Sequence, residues 1–87
     1  MPIAFITGSG RRLGRQLAYA FADAGYDLIL HAHGSRNGML EASQTISGKG
    51  RDVLTVTGDL RSLTDIRAIA EAITAHTDRL DVLVNNA

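Results

Sequence analysis

A run of glycines set between an apolar stretch and a helical pattern constrains this chain more than any other feature. Ile3-Ala4-Phe5-Ile6-Thr7 is a short apolar run that reads as a buried strand. It leads directly into Gly8-Ser9-Gly10-Arg11-Arg12-Leu13-Gly14. Leu13, Leu17, Phe21 and Ala24 then recur at helical spacing, and Gly25 followed by apolar Tyr26 reads as a helix stop. A strand that turns into a helix through glycines exposes backbone N–H groups at the helix start. Side chains there would block the close approach of a ligand, and the group best suited to such a turn is a pyrophosphate. Gly14 falls on the first helical turn, where a missing Cβ lets helix and strand pack closely. The spacing is Gly-x-Gly-x-x-x-Gly rather than Gly-x-Gly-x-x-Gly. It is not a P-loop, because Gly14 is followed by Arg15 and Gln16 instead of Lys and Ser or Thr. The plain alternative is a strand-to-helix turn that holds no ligand.

The rest of the chain repeats the alternation. Asp27 to Ala32 holds Leu28-Ile29-Leu30, a second strand, and Gly34-Ser35-Arg36-Asn37-Gly38 reads as a turn. Met39 to Ser47 is a weaker helix, in which Met39, Leu40 and Ile46 are expected in the core, and Gly48-Lys49-Gly50 breaks it. Asp52 to Thr57 is a third strand, ended by Gly58. Ile66, Ile69, Ala70 and Ile73 form the most regular amphipathic helix, with Ser62 or Thr64 as its N-cap. Leu80-Asp81-Val82-Leu83-Val84 is a fourth strand. The order βαβαβαβ implies a parallel sheet with right-handed crossovers and both faces covered. The expected fold is α/β: a Rossmann-type doubly wound parallel sheet, partial, in the strand order 3-2-1-4. Residues 1–87 contain no linker, repeat or low-complexity stretch and read as one N-terminal dinucleotide-binding part. The chain stops as it leaves its fourth strand, which reads as a truncation. An exposed Val82-Leu83-Val84 edge would then favour self-association.

Composition removes several classes of function. Nine Lys and Arg balance nine Asp and Glu, so nothing points to nucleic acid or a membrane surface. The absence of cysteine excludes disulfides and Cys-based metal sites. The N-terminal apolar run lacks a basic flank and is too short for a signal peptide or a membrane span, and the composition fits the cytoplasm. His31 and His33 alternate at a strand end, but the only other histidine, His76, lies on a distant helix, so no metal site is expected. No Gly-x-Ser-x-Gly elbow or His-Glu-x-x-His pair occurs.

Three pieces together resemble the short-chain dehydrogenase/reductase family. Thr7-Gly8-x-x-x-Arg12-Leu13-Gly14 is similar to its Thr-Gly-x-x-x-Gly-Ile/Leu-Gly turn. Asp59-Leu60 follows the third strand, where the family places an Asp-Leu or Asp-Val pair against the adenine ring. Leu80 to Ala87 resembles the family's fourth strand with its Asn-Asn-Ala-Gly motif, here Asn85-Asn86-Ala87. The one departure is Arg12, at the family's middle glycine; Arg-Leu-Gly there resembles pteridine reductases and their bacterial relatives. The resemblance implies an NAD(P)-dependent oxidoreductase that reduces a carbonyl or imine in a small-molecule substrate, with a homo-oligomer expected for the complete protein. It also implies a Tyr-x-x-x-Lys pair for the proton. Tyr19 and Tyr26 have no lysine four residues on, so no catalytic residue is assigned and the segment alone is expected to be inactive. The alternative is a non-catalytic nucleotide-binding or regulatory module.

Cofactor choice follows from the stretch after the second strand. Leu30-His31-Ala32-His33-Gly34-Ser35-Arg36 contains no Asp or Glu to bind the ribose 2′-OH of NAD. Arg11, Arg12 and Arg36 offer guanidinium groups, Ser35 a hydroxyl and His31 or His33 a ring N–H, all suited to phosphate. NADP(H) is therefore expected over NAD(H). The expected cofactor-binding set is Gly8, Gly10, Arg11, Arg12, Leu13, Gly14, His33, Ser35, Arg36, Asp59, Leu60, Asn86 and Ala87.

Overall fold

The computed structural model describes all 87 residues. Its elements alternate without exception: β1 (Ile3–Ile6), α1 (Arg12–Asp23), β2 (Asp27–Ala32), α2 (Arg36–Gly48), β3 (Val53–Thr57), α3 (Leu63–His76) and β4 (Val82–Val84). The strands form a single parallel sheet in the order β3-β2-β1-β4, as the alternation predicts. Ile6 lies opposite both Leu30 and Val84, and Ala32 lies opposite Thr57. Because every strand points the same way, Thr7, His33, Gly58 and Asn85 all leave the sheet at one edge. The functional site lies on that edge.

The pleat sends alternate side chains to two unequal layers. Ala4, Ile6, Leu28, Leu30 and Ala32 pack with Ala18 and Ala22 of α1 and Met39, Ala42 and Ile46 of α2. Phe5, Ile29 and Val56 pack on the other face with Ile69 of α3. The second layer is thin: Ile69 is the one buried residue of α3, and Ile66, expected in the core, is 41% exposed.

Four local expectations shift. The buried stripe of α1 is Gly14, Ala18 and Ala22, one residue on from the larger apolar positions, and Leu13 lies open at the cleft edge. The cause is proximity: α1 sits too close to the sheet for large side chains beneath it. In α2, Met39 and Ile46 are buried as expected, whereas Leu40 faces solvent. That helix begins at Arg36, so Arg36, Asn37 and Gly38 are helical rather than a turn. The fourth strand begins at Val82 instead of Leu80, because Asp81 pairs with Ile3 partly through its side chain. Asp81 Oδ2 accepts the Ile3 N–H at 2.8 Å while the Asp81 N–H donates to the Ile3 carbonyl at 3.0 Å.

The expected caps are in place. Gly25 has φ +98°, and the Tyr26 N–H donates to the Phe21 carbonyl at 3.0 Å, closing α1. Of the two candidate caps on α3, Ser62 serves: its Oγ accepts the Asp65 N–H at 3.2 Å.

Candidate functional site

The turn after β1 is held from three sides. Thr7 Oγ1 accepts the N–H groups of Asn86 at 2.9 Å and Ala87 at 3.1 Å, which binds the end of β4 to the end of β1. Asn86 Nδ2 donates to the Gly8 carbonyl at 3.2 Å. Gly8 has φ +63°, a conformation that favours glycine, and its N–H donates to His31 Nδ1 at 3.0 Å. Ser9 is fully buried and exchanges bonds with the His31 main chain. Its N–H donates to the His31 carbonyl at 2.8 Å and its Oγ accepts the His31 N–H at 2.8 Å.

These bonds use the N–H groups of Gly8 and Ser9. The next five, from Gly10 to Gly14, have no hydrogen-bond partner within the chain, and no side chain caps α1. Unpaired donors gathered at the positive end of a helix make an anion site. The packing around them leaves no room for side chains. A Cβ on Gly10 would lie 2.9 Å from Ser35 Cβ, and one on Gly14 would run into the Gly8 carbonyl oxygen. A Cβ on Gly38 would run into the carbonyl oxygen of Gly10. Gly38 thus belongs to the turn although it stands on α2. Sequence reading assigned it to a loop; a glycine two residues past the start of a helix was the available signal.

The turn opens into a cleft of about 620 Å³. Gly8, Gly10, Arg11, Arg12 and Leu13 form one wall, the segment from His31 to Ser35 the second, and Asn86 with Ala87 the third. Nine of the thirteen expected residues therefore meet in one place: Gly8, Gly10, Arg11, Arg12, Leu13, His33, Ser35, Asn86 and Ala87. Gly14 lies buried beneath the helix instead of on the cleft wall, and Arg36, Asp59 and Leu60 do not line it. Leu60 packs on the thin core layer. Ala32 and Gly34 line the cleft without having been singled out as ligands, and His31, the other candidate ring donor, lines it with His33. No carboxylate is present among the lining residues.

The arginines divide into two groups. Arg15 is tied down: its Nε donates to the Tyr19 hydroxyl at 2.7 Å and its Nη1 pairs with Glu41 of α2 at 3.2 Å. Arg11, Arg12 and Arg36 are exposed and enter no ion pair. Tyr19 is thus engaged with Arg15, and Tyr26 packs edge-on against Phe21, so neither tyrosine reaches the cleft. No helix is long and apolar enough to cross a membrane.

The model of the short-chain dehydrogenase family matches residues 2–87. The chain belongs to that family. A 3-oxoacyl-(acyl-carrier-protein) reductase of Staphylococcus aureus is 30% identical over 84 residues, covering 97% of this chain and 34% of the relative. Among solved structures, acetoin dehydrogenase from Enterobacter cloacae superposes with a TM-score of 0.90 at 31% identity, covering 100% of this chain and 36% of that one. A metagenomic short-chain oxidoreductase in complex with NADP superposes with a TM-score of 0.89 at 29% identity, covering 99% of this chain and 38% of that one. The chain spans about a third of the length of the relatives it matches.

Membership of the short-chain dehydrogenase family gives two observations a context. Arg12, at the family's middle glycine, has φ +56°. That is the left-handed region, which costs a residue with a Cβ roughly 1–2 kcal/mol. Glycine adopts that conformation without cost, so the arginine of this chain meets the backbone demand of the turn with strain. Asp59, at the family's adenine position, holds Arg61 instead of facing the cleft. It accepts the Arg61 N–H at 2.9 Å and both Nε and Nη2 at 3.1 Å. The guanidinium, then the Arg61 N–H, lower the Asp59 carboxyl to about 2.

A carboxyl held lower in the folded chain than in the unfolded one adds stability that is complete above its ordinary value of 3.8 and is lost as pH falls towards about 2. Asp59→Asn therefore flattens the acid limb of thermal stability between about pH 4 and about pH 2, without changing its form nearer neutrality. Unfolding midpoints for the two proteins across that window measure the difference; parallel limbs would place the acid sensitivity elsewhere.

Proposed function

We propose that this chain forms the cofactor-holding portion of an NADP(H)-dependent oxidoreductase that reduces a carbonyl or imine group in the complete protein. The observation that carries this reading is the charge of the cleft: Arg11, Arg12 and Ser35 line it, and no carboxylate does. A ribose 2′-OH is commonly recognised by an acid after the second strand, and an acid there would repel a 2′-phosphate. Guanidinium groups and a hydroxyl attract one. The free N–H groups from Gly10 to Leu13 fit a pyrophosphate at the start of α1. Asn86 and Ala87 border the same cleft and would run beside a ribose of the cofactor.

When bound, a nicotinamide cofactor supplies or takes up the hydride. The residues of this chain would hold its phosphates and ribose at the turn after β1. The proton step requires a Tyr-x-x-x-Lys pair, which these 87 residues do not contain. The substrate class stays at a carbonyl or imine, because no residue of the cleft is specific for a pteridine, sugar, steroid or acyl thioester.

Titration of NADPH and NADH into the chain, followed by cofactor fluorescence, tests the reading. NADPH is expected to bind at least about tenfold more tightly, a difference of about 1.4 kcal/mol. The double variant Arg11→Ala, Arg12→Ala should bring the two affinities within about threefold by weakening NADPH alone, since its lost contacts are to the 2′-phosphate. Equal affinities in the unaltered chain overturn the NADP(H) assignment.

A further inference from the structure

His31 is only 2% exposed, yet it stands at the cleft, and both of its ring nitrogens are bonded to main chain. Nδ1 accepts the Gly8 N–H at 3.0 Å, and Nε2 lies 2.9 Å from the Gly58 carbonyl oxygen. A backbone N–H can only donate and a carbonyl can only accept. The ring therefore carries its proton on Nε2 and donates it to Gly58. Its main chain makes three further hydrogen bonds with Ser9. One residue on β2 thus joins the turn after β1 to the end of β3.

The direction of these bonds matters more than their number. Gly8, at φ +63°, turns its N–H inward onto the imidazole. The Ser9 N–H is drawn inward as well, by the His31 carbonyl. With those two groups turned away, the chain enters α1 with the N–H groups of Gly10 to Leu13, residues of the cleft wall, unpaired. We infer that His31 is the positioning residue of the phosphate turn, acting through Nδ1 on Gly8. Its Nε2–H is a separate tether to β3 that supports the fold. This inference rests on the turn holding the pyrophosphate of a nicotinamide cofactor, as proposed above. It assigns His31 no contact with the cofactor.

Replacing the two ring nitrogens one at a time separates positioning from general support. Asn carries an acceptor at the δ position of the side chain and nothing at ε, so His31→Asn keeps the Gly8 bond and loses the Gly58 bond. Gln carries a donor at ε, so His31→Gln keeps the Gly58 bond and loses the Gly8 bond. Both variants lose one buried hydrogen bond and should lower the unfolding midpoint to a similar degree. Their NADPH affinities should part: His31→Asn within about threefold of the unaltered chain, His31→Gln at least about tenfold weaker. Equal affinities for the two variants, or affinities that rank only with their unfolding midpoints, overturn the inference and leave His31 a structural residue.

A measurement on the unaltered chain guards against variants that do not fold. A ¹⁵N–¹⁵N coupling across the hydrogen bond between Gly8 N and His31 Nδ1, with slow exchange of the Gly8 amide, is expected by NMR. Its absence overturns the inference directly. Failure of NADPH to bind the unaltered chain, with that coupling present, counts instead against the proposed function and removes the cofactor role inferred for His31 with it.

Discussion

Gly38→Ala should destabilise the chain by about 2–4 kcal/mol, an effect opposite in sign to the usual one. In a helix interior, alanine is normally better than glycine by about 0.5–1 kcal/mol. At Gly38 a Cβ would run into the carbonyl oxygen of Gly10. That oxygen has little room to retreat, because Gly10 is buried and itself pressed against Ser35. Relief requires α2 to lift from the turn, which loosens Met39, Ala42 and Ile46 in the better-packed layer. For an 87-residue chain with a small core, a loss of this size is a large part of the total. Gly48→Ala is the matched control. It sits at the other end of the same helix, where a Cβ would meet nothing within 4 Å, and it should be neutral or slightly stabilising. Urea unfolding of both variants measures the contrast. If Gly38→Ala proves as stable as Gly48→Ala, α2 is free to slide and the turn is less tightly framed than its geometry implies.

Thr7→Val should cost about 1–3 kcal/mol and weaken cofactor binding with it. Valine matches threonine in shape, so packing is preserved and only the hydroxyl is lost. That oxygen accepts two N–H groups, from Asn86 and Ala87, and lies 3.4 Å from both the Val84 carbonyl and Asn85 Oδ1, either of which can take its proton. A methyl in its place leaves both donors facing carbon. The end of β4 then separates from the end of β1, and Asn86 loses its hold on the Gly8 carbonyl. Thr7→Ser keeps the oxygen and should remain within about 1 kcal/mol of the unaltered chain, the loss expected for one buried methyl. Thermal unfolding with NADPH titration of both variants reads the two effects. If Thr7→Val matches Thr7→Ser in both, water has replaced the hydroxyl at the strand end.

The layout of the fold was legible because it rests on period and alternation. Seven apolar patterns, separated by glycine-rich breaks, were enough to place the strands in order and to bring the residues of one edge together. Where a helix face differs from expectation, the cause is that periodicity counts apolar residues and is blind to distance. Leu40 looked like a core residue beside Met39 and Ile46 but faces solvent, and α1 rides so close to the sheet that Gly14, Ala18 and Ala22 fill its underside. Gly38 was read as turn chemistry because its reason for being glycine lies on another element, 28 residues earlier in the chain. Asp59 was placed by analogy with its position after a strand, and a local partner, Arg61, claims its carboxylate. His31 was weighed as a metal ligand. Its partners, Gly8 and Gly58, lie far from it in sequence and offer only main-chain groups, which no side-chain pattern can announce.

Arg12 carries a consequence for how this site could change over generations. Its backbone is left-handed, a conformation glycine adopts freely, and its guanidinium supplies part of the positive charge of the cleft. Arginine and glycine codons differ by a single base. One nucleotide change would therefore relax the turn and remove a positive charge from the cleft wall together, so the backbone strain at this position and the charge it offers an anion change in a single step.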